Sequence, residues 1–279
     1  MNIRNDKVCL APFSVLMSVY KDDRPDFLAQ ALESISFKQY LKPDQIVIVA
    51  DGILPAESLD VINDFIKSFE SDTKFIQLIE NVGLAEALNI GLQHCRNDLV
   101  ARMDADDISL AHRFEKQVVF FRDNPSVSVC GTFINEVDPE SLEVVACRKV
   151  PIEHKDIISF ARKRSPISHP SVMFRKEKII GNGGYPSFRK SQDYALWSLL
   201  LTKNVIFANL PMILLHMRAG EGMHKRRGIS HFKYEMQVLN FQRKIKFITW
   251  GEYIKNMCGR FFLRLSPTFL RKILYKIAR

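Results

Sequence analysis

Over its first hundred residues the chain alternates between short apolar runs and longer segments whose apolar residues recur every three or four positions. No other feature of the sequence constrains the fold as tightly. Phe13–Tyr20 (FSVLMSVY), Gln45–Ala50 (QIVIVA), Lys74–Ile79 and Leu99–Met103 read as buried strands. Between them, Asp23–Phe37, Ser58–Phe69 and Leu84–Cys95 read as amphipathic helices, the first with Pro25 in its opening turn. Strand–helix alternation at this spacing requires right-handed crossovers and a largely parallel sheet with helices on both faces. After Ser109 the pattern becomes mixed. A helix is expected over Leu110–Arg122 and another over Asp193–Thr202, with short strands at Val127–Asn135, Glu143–Val150, Ser171–Phe174, Val205–Asn209 and Met212–His216. The expectation is one α/β domain over 1–230, with halves at 8–108 and 109–230, followed by a helical tail over 231–279.

In such sheets ligands bind in the crevice beyond the carboxyl ends of the strands. Those ends are Ser18-Val19-Tyr20, Asp51-Gly52 and Asp104-Ala105-Asp106-Asp107, and two of the three carry acids. Three carboxylates within four residues repel one another unless a cation is present, and hard divalent ions such as Mg2+ or Mn2+ prefer carboxylate oxygens. The plainer alternative is a solvated turn in which Asp107 or Ser109 caps the helix that follows.

Charge is distributed unevenly. Residues 1–215 hold 25 Lys and Arg against 28 Asp and Glu, whereas 216–279 hold 15 against 3. A near-neutral body with a basic tail points to a local anionic surface, not to nucleic acid along the whole protein. From Arg243 to Arg279 ten basic residues and one acid alternate with Phe247, Trp250, Ile254, Phe261 and other apolar residues at helical spacing, the pattern of an interfacial amphipathic helix; a helical cap on the domain is the alternative. The longest uncharged runs, thirteen and fourteen residues, are too short to span a bilayer, which takes about 20. Five scattered Cys without a CxxC pair support neither a zinc cluster nor a disulfide framework. A cytoplasmic protein, peripheral on the inner face of the membrane, is the expectation.

The order of these features resembles the family 2 glycosyltransferases of GT-A type. The residues that carry the likeness are the SVY strand end, the acid-Gly at the second strand end, Asn81-Val82-Gly83-Leu84-Ala85 leading to Asn89-Ile90-Gly91-Leu92, and the DxD-type Asp104-Ala105-Asp106. They continue with His169-Pro170-Ser171-Val172-Met173-Phe174, Gly184-Tyr185, and Gln192-Asp193-Tyr194-Ala195-Leu196-Trp197. The nearest likeness is to bacterial enzymes of O-antigen, lipopolysaccharide and exopolysaccharide synthesis. The resemblance implies a Rossmann-like GT-A fold and an inverting, metal-dependent transfer from a nucleotide sugar, UDP-linked in the first instance, to a lipid-diphosphate-linked saccharide.

It also implies roles. Ser18, Val19, Tyr20, Asp51, Asn81, Gly83, Asp104, Ala105 and Arg226 would bind the nucleotide sugar, Asp51 through the uracil ring. Asp104 and Asp106 would hold Mn2+ or Mg2+, with a later His as third ligand; His216 and His224 both lie in the right region, and His224 is the one chosen. Asp193 would be the base that accepts the acceptor's proton, Gln192 standing where relatives often carry Glu. His169, Gln192 and Trp197 would line the acceptor site. Two rivals stand beside this reading. A sugar-phosphate nucleotidyltransferase is disfavoured because no Gly-rich phosphate loop follows the first strand, and a non-catalytic polyanion-binding protein is disfavoured because the acids cluster at strand ends.

Overall fold

The structure, a computed structural model, describes residues 10–69, 71–219 and 229–265. His224 and Arg226 lie outside the described residues, as does the tail beyond 265. The strands are β1 Phe13–Val19, β2 Gln45–Ala50, β3 Asp72–Gln77, β4 Leu99–Asp104, β5 Ile108–Ser109, β6 Val127–Val137, β7 Val144–Arg148, β8 Met173–Arg175 and β9 Ile206–Arg218. The helices are α1 Pro25–Ser34, α2 Ala56–Ser68, α3 Leu84–His94, α4 Arg113–Asp123, α5 His154–Ala161, α6 Lys176–Ile180, α7 Gln192–Thr202, α8 Ile229–Lys244 and α9 Trp250–Leu265. The strands form one sheet in the order β3-β2-β1-β4-β8-β6-β9-β5, with β7 paired to β6.

The β3-β2-β1-β4 half is parallel, as the crossover argument requires, and β8 enters antiparallel to both β4 and β6. Strand alternation sorts the side chains to two faces. Val15, Met17, Ile46, Ile48, Ala101 and Met103 meet α1, α2 and α4 on one side. Leu16, Val47, Val49 and Val100 meet α3, α5 and α7 on the other. β2 is buried along its whole length, which explains why it reads as an unbroken apolar run.

One expectation changes. The pair of strands expected at Val205–Asn209 and Met212–His216 is one strand, β9, lying parallel to β6. Thr132 pairs with Leu210 but Phe133 pairs with Ile213, so Pro211 and Met212 are extruded at a bulge. A proline without an N–H cannot continue the ladder, and the bulge absorbs it without ending the strand. The segment from 231 to 265, expected as a helical tail or a cap on the domain, packs on the core. Leu239, Phe247 and Ile248 lie in the same core cluster as α3 and α7, and Gln242 donates to the Ser198 hydroxyl at 2.7 Å. Burying side chains of that size stabilises a fold by about 1.5–3 kcal/mol each, so cutting the chain before Arg243 would remove part of the core.

Candidate active site

The carboxyl ends of β1, β2 and β4 come together because the register aligns them: Ser18 pairs with Val49 on one side and Asp104 on the other, and the Asp51 N–H donates to the Val19 carbonyl at 2.8 Å. Beyond β2 the Asp51 carboxylate, 4% exposed, organises the loop before α3. It accepts from the Asn81 side-chain amide at 2.8 Å, the Val82 N–H at 2.7 Å and the Gly83 N–H at 3.1 Å. Gly52 makes this approach possible. Its φ is +97° and a Cβ there would stand 3.0 Å from the Asn81 nitrogen. Gly52→Ala is expected to cost about 1–3 kcal/mol of stability, read by urea denaturation, and to loosen the loop from Asp51. A variant as stable as wild type would show that the loop accommodates a side chain.

Beyond β4, one oxygen from each of Asp104, Asp106 and Asp107 lies within 4.8 Å of the others. Asp107, 1% exposed, accepts from the Arg218 N–H at 2.9 Å through one oxygen, while its other oxygen is buried without a partner. Burial, then Asp104, pushes Asp106 up to about 6, and burial with the neighbouring acids drives Asp107 well above the carboxylate range. An orphaned buried oxygen among hard oxygen donors fits a divalent cation. His216 lies on β9 opposite Ile108 and is not a member of this group.

Several residues that hold the cluster were not singled out from the sequence. Asp23, in the β1–α1 loop, accepts from the Tyr20 N–H at 2.7 Å; burial and the charges of Asp106 and Asp104 raise it to about 6, so a fourth carboxylate lies within the field of the group. Arg102, 2% exposed, forks onto both oxygens of Asp104, one contact being 2.6 Å. The pair lies two residues apart on a strand and so on one face, a signal present in the sequence. Arg113, completely buried, donates to the Arg102 carbonyl at 2.7 Å. Arg218, at the end of β9, donates to the Asp106 carbonyl and to Gln30, and its guanidinium stacks 4.1 Å from the Phe27 ring. These last two could be found only in three dimensions.

Of the residues expected on the acceptor side, Gln192, Asp193 and Trp197 lie on α7. Asp193 is in the first turn of this helix, behind Ser191, whose φ of 59° is a left-handed conformation uncommon for a residue with a side chain. Burial raises the Asp193 carboxyl, and the charges of Arg102 and Arg148 oppose that rise. The three residues expected to line an acceptor are buried. Trp197 is fully enclosed between His169, Tyr185 and Phe207, and Gln192 is 6% exposed. His169 sits with Nε2 3.0 Å from the Tyr185 hydroxyl, and burial holds its ring neutral. The burial has a packing reason: α7 is apolar on nearly all sides, and its Trp fills the layer between β9 and the His169 turn. Asn89 ties that layer to α3, accepting from the Tyr185 N–H at 2.7 Å and donating to the Tyr185 carbonyl at 3.0 Å.

The family model described as "Glycosyl transferase family 2" matches residues 14–180, and the chain belongs to that family. It is a glycosyltransferase with the GT-A fold, and both rivals raised from the sequence fall with that assignment. It is 36% identical over 265 residues to the amylovoran biosynthesis glycosyltransferase AmsE of Erwinia amylovora, covering 95% of this chain and 98% of that protein. It is 35% identical, covering 95% of each, to the UDP-Gal:alpha-D-GlcNAc-diphosphoundecaprenol beta-1,3-galactosyltransferase of Escherichia coli. The fold is similar to Staphylococcus aureus TarS 1-349 in complex with UDP-GlcNAc, with a TM-score of 0.67, 15% identity, and coverage of 92% of this chain and 76% of that one. It is also similar to the mannosyltransferase PcManGT of Pyrobaculum calidifontis in complex with GDP-Man and Mn2+, with a TM-score of 0.66, 16% identity, and coverage of 96% and 74%.

Proposed function

We propose that the protein transfers a sugar from a nucleotide sugar, UDP-linked, to a lipid-diphosphate-linked saccharide of O-antigen or exopolysaccharide synthesis, with inversion at the anomeric carbon. The observation that carries this reading is the convergence of the Ser18–Tyr20 strand end, the Asp51 loop and the Asp104–Asp107 cluster on one edge of the sheet, with Asp193 within reach of the Arg102 charge. The names of the relatives support donor and acceptor class. Asn81 and Gly83, held by Asp51, border the nucleotide; Tyr20 and Ala105 flank the acidic cluster. Asp104 and Asp106 would hold Mn2+ or Mg2+, which when bound neutralises the donor diphosphate and its departing charge. Asp193 takes the proton from the acceptor hydroxyl as that oxygen bonds to the anomeric carbon and the carbon–phosphate-oxygen bond breaks, its electron pair leaving with the nucleoside diphosphate. The test is a panel of nucleotide sugars with a synthetic sugar-diphosphate-lipid acceptor, with and without Mn2+. Transfer from a UDP-sugar supports the reading; turnover only with a nucleotide sugar of another base overturns its donor half, and transfer only to acceptors without a diphosphate overturns its acceptor half.

A cation at this site has a thermal signature. Asp106 and Asp23 titrate near 6 in the fold, above the ordinary 3.8. Between those values the folded chain binds more protons than the unfolded one, so its stability falls as pH rises through that window. A bound cation offsets the repulsion that appears once the acids ionise. Saturating Mn2+ or Mg2+ is therefore expected to raise Tm more at pH 7 than at pH 5. An equal increment at both, or none at either, counts against cation binding by these carboxylates.

Residence at the inner membrane face belongs to the same reading. No helix among the described residues is long and apolar enough to cross a bilayer, while the proposed acceptor is anchored in one, so the enzyme works from the surface, drawn by its basic C-terminal segment.

A further inference from the structure

Where α8 turns into α9, a cleft of about 470 Å³ opens, lined by Asn240, Arg243, Lys244, Lys246, Trp250 and Tyr253. We infer that this cleft binds the phosphate of an anionic lipid headgroup and docks the enzyme on the bilayer. The inference rests on the membrane reading above and gives it a definite site. The chemistry of the lining is one-sided. None of the three cations pairs with a carboxylate among the described residues, and the Arg243 Nε is buried without an acceptor. The Arg243 guanidinium stacks 4.6 Å from the Trp250 ring, which holds the charge at the cleft wall. Asn240 spends its carbonyl on the Tyr253 hydroxyl at 2.7 Å, so what it offers a ligand is its NH2. A concave site of cations and amide donors, with no acid in its lining, is complementary to a phosphate.

The surface beside the cleft selects a lipid over a soluble phosphate. Trp250, Ile254 and Phe261 are 62%, 52% and 46% exposed, and their spacings of four and seven residues place them along one side of α9. Large apolar side chains in a row next to cations suit the boundary between headgroups and acyl chains. The patch is also rigidly connected to the catalytic body. Glu252 pairs with Arg162 at 3.0 Å, the Asn256 amide donates to the Arg162 carbonyl at 2.7 Å, and Gln242 holds α8 against α7 through Ser198. Since α7 begins at Gln192-Asp193, a bilayer held at the cleft fixes the height of the proposed base above the membrane.

The experiment uses the full chain and vesicles of phosphatidylglycerol with phosphatidylcholine, compared with phosphatidylcholine alone. The triple variant Arg243→Gln/Lys244→Gln/Lys246→Gln is compared with Lys42→Gln/Lys67→Gln/Lys116→Gln, which removes the same charge from exposed positions on the body. At about 1 kcal/mol per basic residue at an anionic surface, the cleft variant is expected to lose about 100-fold in partitioning to the anionic vesicles, and the body variant only a few-fold. Trp250→Ala is expected to weaken binding to both vesicle types. Donor hydrolysis and Tm should match wild type in all three, which separates lost docking from lost folding. Equal losses in the two charge variants, or none in the cleft variant while wild type binds, would overturn the cleft and leave membrane association standing. Wild type that ignores anionic vesicles would sink the membrane reading as well. A cleft variant that loses affinity for RNA but not for vesicles would reassign the cleft to a different polyanion.

Discussion

Asp106→Ala is expected to lower kcat/KM by more than 100-fold, a loss of at least about 3 kcal/mol of transition-state stabilisation, the scale of removing a principal electrostatic element. The position discriminates well because its carboxylate accepts no hydrogen bond from another residue among those described, so truncation removes the proposed ligand and little structure. Asp107→Ala would not be informative in the same way, since that side chain fastens the end of β9 through the Arg218 N–H. In parallel, Mn2+ or Mg2+ should no longer raise the Tm of the Asp106 variant. Full activity of the wild-type enzyme after metal stripping, in excess EDTA, would remove the basis for the expectation.

For Asp193→Asn the expected result is a 10²–10⁴-fold drop in transfer, with nucleotide-sugar affinity changed only a few-fold. The substitution keeps shape and hydrogen-bonding capacity and removes the proton acceptor. Burial raises the Asp193 carboxyl from its ordinary value, so the acid limb of the wild-type rate profile should lie higher than for an exposed Asp, with activity lost as pH falls through it. The Asn variant should show no such limb. Turnover within a few-fold of wild type would mean that another group takes the proton.

The strand ends at Val19, Asp51 and Asp104 were legible because a parallel α/β pattern is written locally: near-continuous apolar runs in β1 and β2, period three to four in α1 and α3, acids where the apolar runs stop. Arg102 was legible in principle, standing two residues before Asp104 on the same strand face. Asp23 was less so, since only the fold of the β1–α1 loop brings it into the field of Asp104 and Asp106. The acceptor side read less well. His169, Gln192 and Trp197 form a recognisable motif, yet a motif does not say which of its members face solvent. Here the aromatic ones pack with Tyr185 into the core.

By itself the sequence determined the family, the parallel half of the sheet and the acidic edge, since each depends on residues close together in the chain. Tertiary structure alone decided three things. Arg113 and Arg218 reach the cluster from α4 and β9. Pro211 is extruded at a bulge and does not end a strand. The basic segment is divided into a buried side, with Phe247 and Ile248, and an open side, with Trp250, Ile254 and Phe261. The physical reason is common to all three. Local pattern specifies which residues are apolar or charged, but the partner that buries an apolar face or neutralises a charge lies tens of residues away, and only chain closure brings it into contact.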